Sequence, residues 1–460
     1  MTKLRTWQTH CIASAMQHYR SSPHFFCQAT PGAGKSRMAA EIAKEMLKAG
    51  LIDLVLCFAP SRQVVEGLTK TFSEVLCRPF DGKLGSIGIA CTYQAMDYRS
   101  DSFWKLVEDY RVLAIFDEIH HCAGHDPLLS NAWGQIILQR IQDKAAYTLA
   151  LSGTPWRSDE RAIVLARYSN PEGRLVCDFR YGIKEAVLDK VCRTPRIVVI
   201  DNNVIRLTEQ IDGAPFVTVH RSIAQLLEET SVMFESLLSQ HEVVDKILAL
   251  GRGRLEEIRN TTPNAGGLIV AANIRHAHQV AAALRHMGED CVVVTTRTPT
   301  AHKVIESFRN GRGKWIVAVG MISEGTDIPR LQVCCYLSRI RTELHYRQVL
   351  GRILRRTGHE DNQAWLYILA EPSLLKFSQR IAEDLPDDVA VLENAQILKR
   401  VDLNFDDLRE ASLELPADCL DLKIGKKFRT TDEIDLTTAE DNSFYVELSA
   451  EFRTEILSLY

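Results

Sequence analysis

Eight consecutive residues, Ala29-Thr30-Pro31-Gly32-Ala33-Gly34-Lys35-Ser36, put two glycines, a lysine and a hydroxyl in the order that phosphate binding requires. Gly32 and Gly34 let backbone N–H groups approach phosphate oxygens with no Cβ in the way. A helix starting here adds its partial positive charge; Lys35 then reaches the β and γ phosphates and the Ser36 hydroxyl ligates Mg2+. The strict pattern has glycine where Ala29 stands, and the bland alternative is a Gly-rich turn before a helix. A second group weighs against that alternative. The apolar run Val112–Phe116 ends in Asp117-Glu118-Ile119-His120, about 80 residues after the loop. A carboxylate at a strand end beside a phosphate loop holds Mg2+ through water, and its neighbour orients and deprotonates an attacking water. Together these residues predict a nucleoside triphosphate and Mg2+ at this site.

A third group lies far downstream. Gln348, Arg352 and Arg355 fall at i, i+4 and i+7 and so share one helix face. Arginine suits planar, multi-oxygen contact with a γ phosphate. A salt-bridged surface helix is the plain alternative, but Gly351 inside the run argues against it. If the loop and these arginines belong to different domains, the ATP site is complete only when the cleft between them closes.

The elements that must position these groups follow one pattern, twice. In the first half HFFCQA (from His24), LVLCFA (from Leu54), IGIAC (from Ile87), VLAIF (from Val112) and TLALS (from Thr148) are short apolar runs. Such runs are strands buried on both faces of a parallel sheet. Between the first two, Met38, Ala39, Ile42, Ala43, Met46 and Leu47 recur at helical spacing. The second half repeats this with GLIVAA (from Gly267), CVVVTT (from Cys291), WIVAV (from Trp315), VCCYL (from Val333) and AWLYIL (from Ala364). Two successive βα arrays predict an α/β chain of two tandem parallel-sheet lobes. Residues 191–262 read as a helical linker or insertion, polar and turn-rich around Asn202 and Gly213, then amphipathic from about Ser222 to Ile258.

These motifs, in this order, resemble the superfamily 2 helicases and translocases of the DExH type, over about Leu4 to Leu369. The resemblance implies RecA-like lobes at residues 1–190 and 263–375. It makes Arg5 and Gln8 of LRTWQ the adenine-reading element, with Thr30, Gly32, Ala33, Gly34, Lys35 and Ser36 holding phosphates. It makes Glu118, Gln348, Arg352 and Arg355 catalytic, Asp117 and Ser36 metal-binding, and His120, Ser152 and Thr154 coupling residues. Ser323-Glu324-Gly325-Thr326-Asp327-Ile328-Pro329 resembles the fifth motif and adds Gly325 and Asp327 to the nucleotide set. Ser61, Arg62, Thr92, Asn273 and Thr296 match strand-contacting positions, although each also reads as an ordinary loop or helix cap. The style of Ser152-Gly153-Thr154-Pro155-Trp156-Arg157 is that of the repair and restriction branch. The implied activity is an ATP-dependent helicase or translocase acting on DNA in preference to RNA. An ATP-gated nucleic-acid scaffold that recruits partners without separating strands shares the same motifs.

Composition excludes other classes. Of 460 residues 46% are apolar and 25% charged, as in soluble globular proteins and unlike disordered or collagenous chains. A net charge of −4 argues against bulk electrostatic capture of nucleic acid, though not against a locally basic groove. The start lacks a signal-peptide core and no apolar run is long enough to span a bilayer, so no membrane partner and a cytoplasmic location are expected. The 12 cysteines are scattered without a CxxC pair and read as free thiols. His120, His121, Cys122 and His125 crowd together in a spacing that fits no usual zinc pattern. Residues 376–460 read as an acidic extension. From Val401 to Tyr460 it holds 15 acidic and 6 basic residues. It carries enough apolar anchors either to pack as helices on the second lobe or to dock a partner protein, and its acidic charge offers a third role, competing with nucleic acid for a basic cleft.

Overall fold

Every residue of the run Val112–Asp117 is buried, and Leu54–Ala59 is buried at all but its first position, so both sit between two layers of helix. The computed structural model describes residues 3–124, 130–155, 161–169, 175–211, 214–320, 328–358, 361–383, 444–449 and 452–457. In the first lobe β1 (His24–Ala29), β2 (Leu54–Ala59), β3 (Gly88–Thr92), β4 (Val112–Asp117) and β5 (Tyr147–Ser152) form the sheet. A short ribbon, β6 (Arg167–Tyr168) with β7 (Leu175–Val176), precedes β8 (Phe179–Tyr181), which completes it. The strand order is β3-β2-β4-β5-β1-β8, parallel throughout. That order brings the carboxyl ends of β1, β5 and β4 side by side, the place where open α/β sheets bind ligands.

The second lobe uses β9 (Thr194–Asn202), β10 (Ile205–Ile211), β11 (Ala214–His220), β12 (Gly266–Ala271), β13 (Cys291–Val294), β14 (Trp315–Ala318), β15 (Leu331–Leu337), β16 (Gln363–Leu369), β17 (Phe444–Leu448) and β18 (Phe452–Leu457). Its main sheet runs β13-β14-β12-β15-β16-β9-β18, parallel except for the last pair. The ten apolar runs identified in the sequence are all strands, in two mainly parallel sheets.

Two expectations need correction. The segment from 191 onward does not open as a helical linker. Ile197-Val198-Val199-Ile200 is β-branched and buried, so it becomes β9 inside the second sheet, and β10 with β11 makes an antiparallel hairpin. Helix follows only at Ile223–Glu229, Phe234–Leu238 and His241–Thr261. The expected extension opens inside the helix Pro372–Glu383, and its described residues beyond 443 are strand and not helix. β18 pairs antiparallel along β9, and β17 pairs antiparallel with β10. Asp201 of β9 accepts from Arg453 Nε at 3.1 Å, a contact that fixes this register. Residues 384–443, where most of the expected acidic extension falls, lie outside the described residues. No described helix is long and apolar enough to cross a membrane.

Candidate active site

The loop after β1 closes into the helix Lys35–Lys48 through two residues with positive φ, Gly32 at 82° and Gly34 at 93°. Both are glycine for two reasons: the backbone angle, and contact. A Cβ on Gly34 would lie 2.9 Å from Gln8 Nε2, and one on Gly32 would lie 2.8 Å from Arg355 Cγ. The loop's carbonyls are held from the helix Thr6–His18 and its cap. Arg5 Nη1 donates to Ala33 O at 2.7 Å, Gln8 Nε2 to Gly34 O at 3.0 Å, and Trp7 Nε1 to Ala33 O at 3.2 Å. Trp7 was not singled out in the sequence. It stacks on Tyr181 of β8 with ring centroids 4.7 Å apart, fixing the helix against the sheet. Its place between Arg5 and Gln8 was the available signal.

Lys35 is buried and donates to Ala29 O at 3.1 Å while its ammonium sits 3.1 Å from Glu118 Oε1. Glu118 follows β4 in the left-handed region, φ 52°, which turns its carboxylate back over the loop. Its Oε2 accepts from the Gly153 backbone N–H at 3.1 Å and lies 3.4 Å from His120 Nδ1. His120 Nδ1 and Ser152 Oγ are 2.9 Å apart, and Ser152 Oγ accepts from Thr154 N–H at 3.1 Å. The residues expected to couple, His120, Ser152 and Thr154, thus form one buried chain ending on Glu118. Burial tends to raise the Glu118 carboxyl, but Lys35, His120 and the Gly153 N–H outweigh it and hold it low, at about 2. Asp117 beside it is pushed up to about 7, first by burial and then by the Glu118 charge. Among the described residues, Asp117 Oδ1 and Thr30 Oγ1 are buried with no hydrogen-bond partner.

From the second lobe the helix Glu343–Ile353 carries Gln348 and Arg352; Arg355, expected on the same helix face, instead lies past the helix end, where its backbone bridges Cys192. Together with Arg5, Gly32, Lys35, Ser36, Asp117, Glu118 and Thr154 they line one cleft of about 460 Å³. His121 lines it too, a residue to which the sequence reading gave no part in the site. Burial lowers the Arg355 guanidinium to about 10, far above neutrality, so it stays charged. Gly325 and Asp327 lie outside the described residues.

The candidate strand contacts lie at or just beyond the carboxyl ends of β2, β3, β12 and β13, across both lobes. Ser61 caps the helix Arg62–Leu76 by accepting from Val64 N–H, and Thr92 caps Tyr93–Met96 by accepting from Ala95 N–H. Asn273 accepts from His276 N–H and donates to Glu235 Oε1 at 2.9 Å. Thr296 follows β13, beside the hydrogen-bonded pair Thr295 and Thr298. Capping is thus a present role of Ser61, Thr92 and Asn273.

Residues 1–157 match the family described as type III restriction enzyme, res subunit, and residues 249–357 match the helicase conserved C-terminal domain. An uncharacterized protein of Mycobacterium tuberculosis is 29% identical over 82% of this chain, and one of Mycobacterium leprae is 27% identical over 82%. The chain spans 63% and 64% of the length of these two relatives. Among solved structures, a fragment of a putative HsdR subunit of a type I restriction enzyme from Vibrio vulnificus YJ016 matches with a TM-score of 0.55. That match has 14% identity and covers 83% of this chain and 67% of the other. The ATP-dependent type ISP restriction-modification enzyme LlaBIII, bound to DNA, matches with a TM-score of 0.54. Its identity is 14%, over 87% of this chain and 29% of that one.

Proposed function

We propose, for a chain that carries both domains of the superfamily 2 helicase core, that it hydrolyses ATP between its lobes and uses the cycle to move along a nucleic-acid strand. DNA is favoured over RNA, because LlaBIII, a neighbour by fold, is a DNA-bound enzyme and the matched first domain is that of restriction enzymes. The observation that carries the proposal is the Gly32–Arg355 contact, in which a second-lobe arginine covers the phosphate loop with no room for a Cβ.

The donors fit Mg2+: Asp117 offers a buried oxygen with no protein partner, and Ser36 a hydroxyl lining the same cleft. When bound there, the ion would neutralise charge on the β and γ phosphates. The chain's own residues do the rest. Lys35 pairs with Glu118 across 3.1 Å. Once Lys35 turns to the phosphates, Glu118 loses its main counter-charge and its proton affinity rises. It then accepts the proton of the attacking water. Arg352 and Arg355 face the charge that builds on the transferred phosphoryl group. Because Glu118 shares its Oε2 with Gly153 and His120, its change of state pulls on Ser152 and Thr154, and so on the loop after β5.

Strand phosphates would meet Ser61, Arg62 and Thr92 on the first lobe and Asn273 and Thr296 on the second, through hydroxyl, amide and backbone groups. ATP turnover measured against single- and double-stranded DNA and RNA, beside a strand-displacement assay, tests the reading. Stimulation with displacement supports a helicase. Stimulation without displacement supports a translocase or an ATP-gated scaffold. Turnover indifferent to every nucleic acid overturns it.

A further inference from the structure

Arg193 lies just before β9, where the chain passes from the first lobe to the second. It is fully buried, 0% exposed, and the chemistry above gives it no part. All five of its guanidinium N–H bonds are used. Nη1 donates to Leu331 O at 2.5 Å and Ile353 O at 2.6 Å. Nη2 donates to Pro329 O at 2.9 Å and Asp361 Oδ2 at 2.5 Å, and Nε donates to Asp361 Oδ1 at 2.5 Å. Its backbone N–H donates to Leu354 O at 2.7 Å.

Ile353 and Leu354 end the helix that carries Gln348 and Arg352, where carbonyls have no partner inside the helix. A cation is favoured at that end by the helix dipole. Pro329 and Leu331 bracket the entry to β15. Arg193 therefore ties the crossing peptide, the start of β15 and the end of the arginine-bearing helix to one point. The residue before it extends the link to the first lobe: Cys192 forms a backbone bridge with Arg355, and its Sγ lies 3.8 Å from Pro31 O. Lysine cannot replace this fork, since its three donors leave one nitrogen.

We propose that Arg193 is a positioning residue, holding the helix of Gln348 and Arg352, and Arg355 behind it, at the register against the phosphate loop that turnover needs. This rests on reading the cleft as an ATPase site. Stability alone is a poor reason for such a residue, because neutral replacement of a buried ion pair is often harmless to folding while loss of one partner is not.

The test uses the full chain and two variants, Arg193→Lys and the neutral pair Arg193→Met with Asp361→Asn. The asparagine keeps an acceptor for Thr357, which now donates to Asp361 Oδ2. Melting temperature, affinity for a fluorescent ATP analogue, and kcat and KM for ATP are measured on each. Both variants are expected to bind the analogue within about threefold of wild type, because Lys35 and Ser36 are untouched. Their kcat should fall about 10²-fold, the cost of misplacing a catalytic group by an ångström. The neutral pair leaves three carbonyls without their guanidinium donor and should melt lower. Its kcat is therefore read well below its transition, where the chain stays folded, and should remain slow. Wild-type kcat in that well-folded pair overturns the proposal, as does a loss of kcat that only follows a loss of folded protein. If the wild type itself shows no turnover with any nucleic acid, the ATPase reading fails first and this inference with it.

Discussion

Gly351, inside the second-lobe helix, stands so close to Pro31 of the phosphate loop that a Cβ added to it would lie 2.7 Å from Pro31 Cβ. Both atoms sit on stiff elements, a helix and a proline ring, so neither yields cheaply. Gly351→Ala should therefore wedge the lobes apart. Nucleotide affinity should stay near wild type, while kcat falls by about 10²-fold in steady-state kinetics. Unchanged kcat would mean that the closed cleft is not the working state.

Glu118→Gln separates binding from chemistry. Lys35, Ser36 and Asp117 survive, so the variant should still bind Mg2+–ATP, and hydrolysis should fall by about 10² to 10⁴-fold. Lys35→Ala should instead weaken nucleotide binding itself. An isothermal titration beside a phosphate-release assay distinguishes the two, and wild-type hydrolysis by Glu118→Gln would remove Glu118 from the mechanism.

Ser152 joins His120 to Thr154, and Ser152→Ala deletes the hydroxyl that makes both contacts between β4 and the loop after β5. The ratio of nucleic-acid-stimulated to basal turnover should drop about tenfold or more, as expected when a buried polar link worth ~1.5 kcal/mol is lost. A ratio equal to wild type would break the assignment of Ser152 to coupling.

Removing residues from 441 onward should destabilise the second lobe, because β9 then loses β18 along six paired positions and becomes an open edge. Melting of that lobe should drop by roughly 5 °C or more, with aggregation, since a few kcal/mol moves a lobe of this size that far. Thermal scans with light scattering check this. A truncated chain that melts like wild type would return the tail to the role of a separate module.

His345 caps off acid tolerance. Burial lowers its imidazole from 6.5 to about 4, and its Nδ1 lies 2.7 Å from the Tyr336 hydroxyl. The unfolded chain takes up this proton first, so stability is unaffected above about pH 6.5 and declines as pH falls from there towards 4, by up to about 3 kcal/mol. His345→Gln carries no such proton. The melting-temperature gap between wild type and variant should move in the variant's favour over that window, and a gap constant with pH rules His345 out.

Local pattern is enough for most of the architecture. Short runs without a polar face, such as LVLCFA and VLAIFD, have nowhere to go but between two helix layers, and the phosphate loop announces itself by glycine spacing. The superfamily 2 resemblance follows from those motifs and their order. What pairing decides is not written in any one segment. Ile197–Ile200 has a strand's composition, but only the free edge of β16 makes it part of the second sheet. The last described residues become strand because β9 and β10 offer open edges to residues about 250 positions away. The same holds at the site. Glu118, Lys35 and Ser152 could be named from the sequence, yet the low proton affinity of Glu118 exists only where Lys35 comes within 3.1 Å of it. Arg193 had no motif to mark it: its role arises from carbonyls on distant segments converging on one buried guanidinium, a property of the packed chain alone.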